Sequence, residues 1–287
     1  MQFINATVKP KKTRQLMRTI SILNQKGGVG KTTTSANVAA CLAESGKRTL
    51  VADMDPQAHL TLHFGIDPNE IEFSIYELLT ESCGLEDAAE EIRENLTLLP
   101  ANIDLVGAES EIWEAENREQ ILSRKLAASE LNFDYVIIDC PPSLGLLSLN
   151  ALAASDEVII PLQPHFLALQ GLSKLLETVE IVSSRINPEL KVLGVLLCMF
   201  DTRTSLSKEV KNDIAEFLEA SRNSGHPWEN AKVIPTAVRN NIKLAEAPGY
   251  GKTIYEYEPN CNGAIDYRMV TGFITGEYID FERDLEA

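Results

Sequence analysis

The chain has 287 residues, 44% of them hydrophobic, and a formal net charge of −16 at pH 7. That is apolar material for one large α/β domain or two smaller ones, and a balance that at first sight argues against nucleic acid. The longest apolar stretches, such as Val192 to Phe200, are too short to cross a bilayer, and no apolar core precedes a cleavage site near the N-terminus, so a cytoplasmic protein is expected.

The charge is unevenly placed. Residues 70–120 hold 15 acids and 2 bases, and residues 277–287 hold 5 acids and 1 base. The remainder is close to neutral, so a local basic face is compatible with the total. The five cysteines (Cys41, Cys83, Cys140, Cys198, Cys261) are odd in number and form no C-x-x-C pair, which argues for reduced thiols rather than disulfides or a zinc site.

Residues 1–18 carry five bases (Lys9, Lys11, Lys12, Arg14, Arg18) and no acid. They read as a flexible basic arm for an acidic partner, or as a leader without a role. The first strand is expected over Thr19–Asn24, then a Gly-rich run, Gln25 to Thr33, then a helix over Ser35–Glu44. Strand, Gly-rich loop and helix in that order make a phosphate cradle. Glycines let backbone N–H groups turn toward an anion, and the helix N-terminus adds partial positive charge. Gly27, Gly28, Val29, Gly30, Lys31, Thr32 and Thr33 are the candidate nucleotide-binding residues. Lys31 is suited to the β- and γ-phosphates and the Thr32 hydroxyl to magnesium.

The loop departs from G-x-x-x-x-G-K-[ST], because Gln25 stands at the first glycine position. It also carries a second lysine, Lys26, which is either a solvated loop charge or has a task of its own. A dinucleotide fingerprint fails, since Thr33 stands where the third glycine belongs.

The next strand, Thr49–Asp53, ends in Asp53-Met54-Asp55-Pro56-Gln57. Two carboxylates two residues apart share a face of an extended strand end. Asp53 is assigned to the metal's surroundings and Asp55 to positioning the attacking water, with a structural strand-end pair as the alternative. His59 and His63, spaced i, i+4, read as ordinary histidines for want of a third ligand. Helices are expected over Ile71–Thr80 and Leu105–Ser129, with a strand at Thr97–Pro100 between them. Trp113 is read as packing in the acidic helix; Trp228 suggests no role. The strand Tyr135–Asp139 ends in a carboxylate suited to magnesium, followed by Cys140-Pro141-Pro142-Ser143. Cys140 reads as a small buried residue.

The rest alternates: helix Leu146–Ala154, strand Val158–Leu162, helix Leu172–Ile186, strand Val192–Phe200, helix Ser205–Ser221, strand Lys232–Pro235 and helix Gly263–Gly276. Met199 and Pro235, at late strand ends, either flank an adenine or pack in the core. Continuous apolar strands such as Val136-Ile137-Ile138 imply burial on both faces. The fold class is therefore α/β, a single P-loop domain over 19–276 with a mostly parallel twisted sheet and helices on both faces, followed by an acidic tail over 277–287.

The chain resembles the ParA/Soj family of partition ATPases, within the deviant Walker A group that also includes MinD. The residues that carry the likeness are Asn24 to Thr34, Asp53 to Gln57, Ile137 to Leu144 and Lys243 to Gly251. The resemblance implies ATP and Mg2+ as ligands, weak ATP hydrolysis stimulated by a ParB-like partner, and a homodimer that forms on ATP with Lys26 reaching the partner's phosphates. Supplied in trans, such a cation is worth about 10³–10⁵ in rate in related systems. The family also implies nucleoid association through non-specific DNA binding, for which Arg203, Arg239 and Lys243 are the candidates, with solvated surface charge as their alternative. Residues 203–268 hold 9 bases and 9 acids, so this region is no basic block. A leader of about 18 residues is too short for a helix-turn-helix domain. The acidic C-terminus lacks the basic amphipathic helix of membrane-binding relatives, so no membrane contact is expected. Positioning of a non-DNA protein cargo on the nucleoid is the alternative function.

Overall fold

The computed structural model describes residues 17–277, so Lys9, Lys11, Lys12 and Arg14 of the expected arm and the tail beyond Glu277 lie outside the described residues. The elements run β1 (Arg18–Ile22), α1 (Lys31–Glu44), β2 (Thr49–Asp53), α2 (His59–His63), α3 (Ile75–Leu79), α4 (Leu85–Ala88), β3 (Glu90–Arg93) and β4 (Leu96–Leu99). They continue with α5 (Leu105–Glu111), α6 (Ile121–Ala128), β5 (Tyr135–Asp139), α7 (Leu146–Ala154), β6 (Glu157–Leu162), α8 (Ala168–Arg185), β7 (Lys191–Leu197) and α9 (Ser205–Ala220). The last are β8 (Lys232–Val233), α10 (Ile242–Glu246), α11 (Ile254–Tyr257) and α12 (Asn262–Thr275).

One eight-stranded sheet has the order β3-β4-β2-β5-β1-β6-β7-β8. All neighbours are parallel except the edge pair β3–β4. Successive residues of the central strands feed opposite cores. Val136 and Ile138 pack with α3 and α5 to α9, while Ile137, Ile20 and Ile22 pack with α1, α2, α11 and α12. This alternation, with apolar residues on both sides, is why the strands read as unbroken hydrophobic runs.

Several boundaries differ from expectation for local reasons. The helix foreseen over Ile71–Thr80 begins only at Ile75, because Ser74 forms a capping box with Glu77. The long helix over Leu105–Ser129 is broken into α5, a 3-10 turn and α6, with Asn117 in the left-handed region at φ 52°. The charged edge strand β3 gave no apolar alternation to detect, which is the usual sequence of an exposed edge. The strand expected to run to Phe200 ends at Leu197, and Phe200 makes only an isolated bridge to Arg239. Arg18 belongs to β1 rather than to an arm: it pairs with Glu157 at 2.6 Å and donates to the Ile274 carbonyl.

Gly194 of β7 has no room for a side chain, since a Cβ there would lie 2.6 Å from the Lys232 carbonyl oxygen of β8. Gly194→Ala is expected to cost about 1–3 kcal/mol of stability, read as a lower urea midpoint. An unchanged midpoint would mean that β8 gives way without cost.

Candidate phosphate-binding and metal site

The three strand ends that carry the expected chemistry meet at the carboxyl edge of the sheet, where β5 lies between β1 and β2. The loop after β1 turns through Gly28 at φ 72° and Gly30 at φ 94°. Gly30 is the left-handed residue that opens α1, a conformation costly for any residue with a Cβ. Val29 is buried and anchors the loop, while Gln25 to Gly28 are exposed. Lys31 is 8% exposed, and its Nζ donates to the Lys26 carbonyl at 3.3 Å across the loop it would serve. Thr33 stays on α1, its carbonyl accepting from Asn37 Nδ2 at 2.8 Å.

Asp139 is the hub. Its Oδ2 accepts from Thr32 Oγ1 at 2.7 Å and its Oδ1 from Ser35 Oγ at 2.8 Å. Ser35 was not singled out in the sequence; the signal was its i+3 spacing from Thr32, which places both hydroxyls on one helix face. Asp139 also sits directly opposite Asp53 in the parallel β2–β5 register. Asp53 Oδ2 accepts from the Thr61 N–H at 2.9 Å and the Thr61 hydroxyl at 2.8 Å, and its Oδ1 accepts from the Asp55 N–H at 3.1 Å. Asp53 thus fastens α2 to the strand end, and the Thr61 hydroxyl in turn accepts from the Ala101 N–H.

Both carboxylates are fully buried. Burial pushes Asp139 up to about 7, reinforced by the charge of Asp53 and opposed by the hydroxyls of Thr32 and Ser35. Burial raises Asp53 to about 6, opposed by its bonds from Thr61. Two adjacent buried acids held above their ordinary range mark a place suited to added positive charge.

β2 ends at Asp53, which is buried, and Asp55 follows two residues on. Asp55 lies beyond it, half-exposed, its carboxylate accepting from the Gln57 N–H at 3.0 Å. Lys26 is exposed, and its N–H donates to Asn24 Oδ1, while Asn24 Nδ2 donates to the Pro161 carbonyl of β6. The pKa of His165, in the loop after β6, is lowered by burial and then by the charge of Lys26. Phe166, the next residue, is 88% exposed.

The loop after Asp139 leads to α7, whose Leu147 N–H donates to Glu109 Oε1 of α5 at 3.1 Å. Trp113, just past α5, is not packed inside as expected but is 58% exposed, with the Arg118 guanidinium 4.2 Å above its ring.

Met199 is a non-glycine residue at φ 50° just past β7, and Pro235, just past β8, is exposed. The three basic candidates each already have a carboxylate. Arg203 forks onto Asp201 with both bonds at 2.9 Å, in the open. Arg239 forks onto Asp266, which is buried. Lys243 is 2.9 Å from Glu246 and 5.5 Å from the Tyr257 ring. His59 is exposed and His63 buried, and no group of three metal-ligating His, Cys, Asp or Glu occurs among the described residues. Cys140 is buried, its thiol pushed up to about 12 by burial.

The donor set fits magnesium. Mg2+ takes hard oxygen ligands and is usually held by one or two carboxylates together with phosphates and water rather than by a full protein cage. With its proton committed to Asp139, Thr32 Oγ1 presents lone pairs to a cation.

A sequence model for an AAA domain, AAA_31, matches residues 17–192. The sporulation initiation inhibitor protein Soj of Bacillus subtilis is 45% identical over 249 residues, 86% of this chain and 94% of that protein. The chain belongs to the ParA/Soj family of partition ATPases. Another relative in this family, the chromosome partitioning protein ParA of Myxococcus xanthus, is 42% identical over 252 residues, covering 87% of this chain and 85% of its own length. A solved structure, named as cobyrinic acid a,c-diamide synthase from Mycobacterium smegmatis with bound ADP and magnesium, is 37% identical with a TM-score of 0.75, covering 92% of this chain and 98% of that one. The ParA/Soj chain is thus a P-loop ATPase-family protein, and no helix among its described residues is long and apolar enough to cross a membrane.

The raised carboxylates set a pH dependence. Between about pH 4, the unfolded value, and about pH 7 the native state holds more protons on Asp139 than the unfolded chain, so this residue's contribution is fully present below that window and lost as pH rises through it. Asp139→Asn should therefore gain melting temperature relative to the parent as pH goes from 5 to 8, measured without nucleotide or magnesium. A constant difference across that range would contradict the raised value.

Proposed function

We propose that this chain is a DNA-partitioning ATPase that binds Mg-ATP, dimerises around it, holds DNA non-specifically and lets go when a ParB-like partner stimulates hydrolysis. The observation that carries the reading is the Thr32–Asp139–Ser35 cluster set beside Asp53 at the mouth of the Gly-rich loop. The Gly27–Thr33 backbone would cradle the phosphates and Lys31 would neutralise them. Thr32 would ligate magnesium, with Asp139 orienting it; the bound ion supplies Lewis-acid relief of phosphate charge. Asp53, assigned to the metal by sequence, has three protein donors, and its part is better described as charge and the anchoring of α2. Met199 and Pro235 would border the base.

Asp55 is the half-exposed carboxylate of the site and is assigned to the attacking water. Lys26 lies on the exposed part of the loop, and in this reading its ammonium would reach the phosphates of a second copy. Asp55→Ala is expected to keep Mg-ATP binding and dimerisation while losing about 10²–10⁴ in turnover. Lys26→Gln should lose stimulated turnover, by up to about 10³, with nucleotide binding retained. A monomeric Asp55→Ala protein in saturating Mg-ATP, or a fully active Lys26→Gln protein, would refute the respective assignment.

The basic candidates separate on physical grounds. An exposed pair such as Arg203–Asp201 is worth little in water, so Arg203 can exchange its partner for a phosphate. Arg239 cannot leave Asp266 without taking its guanidinium from a buried carboxylate that then keeps the Arg239 backbone N–H. Arg203→Ala should weaken DNA binding and lower the log–log salt slope by about 0.9, with stability unchanged. Arg239→Ala should instead lose about 1–3 kcal/mol of stability by urea titration. The reverse pattern would exchange their roles.

A further inference from the structure

α5 presents an apolar stripe to solvent. Its inner residues Leu105, Ala108 and Ile112 are buried in the core, while Ile103, Val106, Ser110 and Trp113 follow the opposite helical rhythm, three, four and three residues apart. The turn is helical from Ile103 onward, since the Val106 N–H donates to the Ile103 carbonyl and the Gly107 N–H to that of Asp104. Ile103 is 61% and Val106 63% exposed, and Trp113 is open as well. Gly107 and Ser110 separate Val106 from Trp113 with little or no side chain, which leaves room for a large side chain from outside. The helix is rooted beside the carboxylate site, because the Ala101 N–H just before it donates to the Thr61 hydroxyl that holds Asp53.

The surroundings of the stripe are acidic. Residues 70–120 hold 15 acids and 2 bases, and both bases are engaged. Arg93 forks onto Glu256, and Arg118 pairs with Glu119 and lies over the Trp113 ring. Asp104, Glu114 and Glu116 are exposed and have no ion pair among the described residues. Exposed apolar groups rimmed by charge mark a contact surface. The complement of this one is a helix with apolar residues at the same spacing and cations beside them. Trp113 already accepts one guanidinium on its ring, the kind of contact such a helix would repeat.

We propose that the outer face of α5 is a docking surface for a basic amphipathic helix of a protein partner. The partner's apolar side chains lie on Ile103, Val106 and Trp113, and its lysines or arginines face Asp104, Glu114 and Glu116. From Ile103 to Trp113 the face is about 15 Å long at about 1.5 Å per residue, close to three turns of the partner helix. This role accounts for the acidic stretch that the nucleotide site does not use, and it does not depend on the nucleotide chemistry.

The test is run without nucleotide, so its failure leaves the ATPase reading standing. The full chain is titrated with a synthetic peptide of about 18 residues, leucines three and four apart and lysines elsewhere, followed by calorimetry and tryptophan emission. The expected result is one saturable site per chain and a blue shift as the Trp113 ring leaves water. Val106→Lys, and Glu114→Lys combined with Glu116→Lys, should each weaken binding about tenfold or more. Glu209→Lys combined with Glu216→Lys makes the same change in net charge at exposed α9 residues and should leave binding within about twofold. A peptide of the same composition shuffled to lack an apolar face should bind about tenfold or more weaker. The proposal is overturned by no saturable binding, by unchanged emission, by equal binding of the shuffled peptide, or by equal losses from the two charge-reversal pairs. A dimer in sedimentation that Val106→Lys dissolves would give the face to a second copy of the chain and overturns it as well.

Discussion

The position of Asp139 governs the rest of the site. A carboxylate placed at the end of a central strand, fully buried, must find donors, and it takes them from Thr32 and Ser35 on α1. That demand fixes how α1 lies across the sheet and therefore where its N-terminus and the Gly-rich loop point. The parallel register of β2 and β5 then brings Asp53 alongside, and Asp53 repeats the arrangement one strand over by gripping α2 through Thr61. The polar groups of the site are thus also the fastenings of two helices to the sheet.

This dual use explains why the acids remain buried at a cost. Two adjacent carboxylates in an apolar surround repel each other and resist ionisation, which a well-packed apolar pair would not do. The arrangement is consistent with a site that becomes relaxed when a divalent cation and phosphates share the space. The strain is local, because the strand segments below it are continuous apolar runs packed on both faces.

Much of this was legible in the amino-acid order. The strand–loop–helix order around Gly27 to Thr33 and the apolar strands ending in Asp53 and Asp139 are short-range patterns, and the structure shows those strands with the same residues at their ends. What escaped depended on long-range pairing. Ser35 is one more helix hydroxyl until β5 supplies Asp139, and Thr61 is ordinary until Asp53 turns back to it. β3 was invisible because an exposed edge needs charge rather than alternation, and the break at Asn117 lay inside a composition otherwise favourable to helix. The partnering of Arg203, Arg239 and Lys243 was likewise hidden, since sequence gives the cation and not the carboxylate that folds against it.

The bond from the Leu147 N–H to Glu109 has a mechanical meaning. The stretch between Asp139 and α7 is short, and its far end is held by a side chain from α5 on the outer layer. A loop tied at both ends cannot move without pulling on one of its ties. Glu109 therefore joins α5 to the loop that leaves Asp139, and Trp113, exposed just past the end of α5, is a native fluorophore close to that tie.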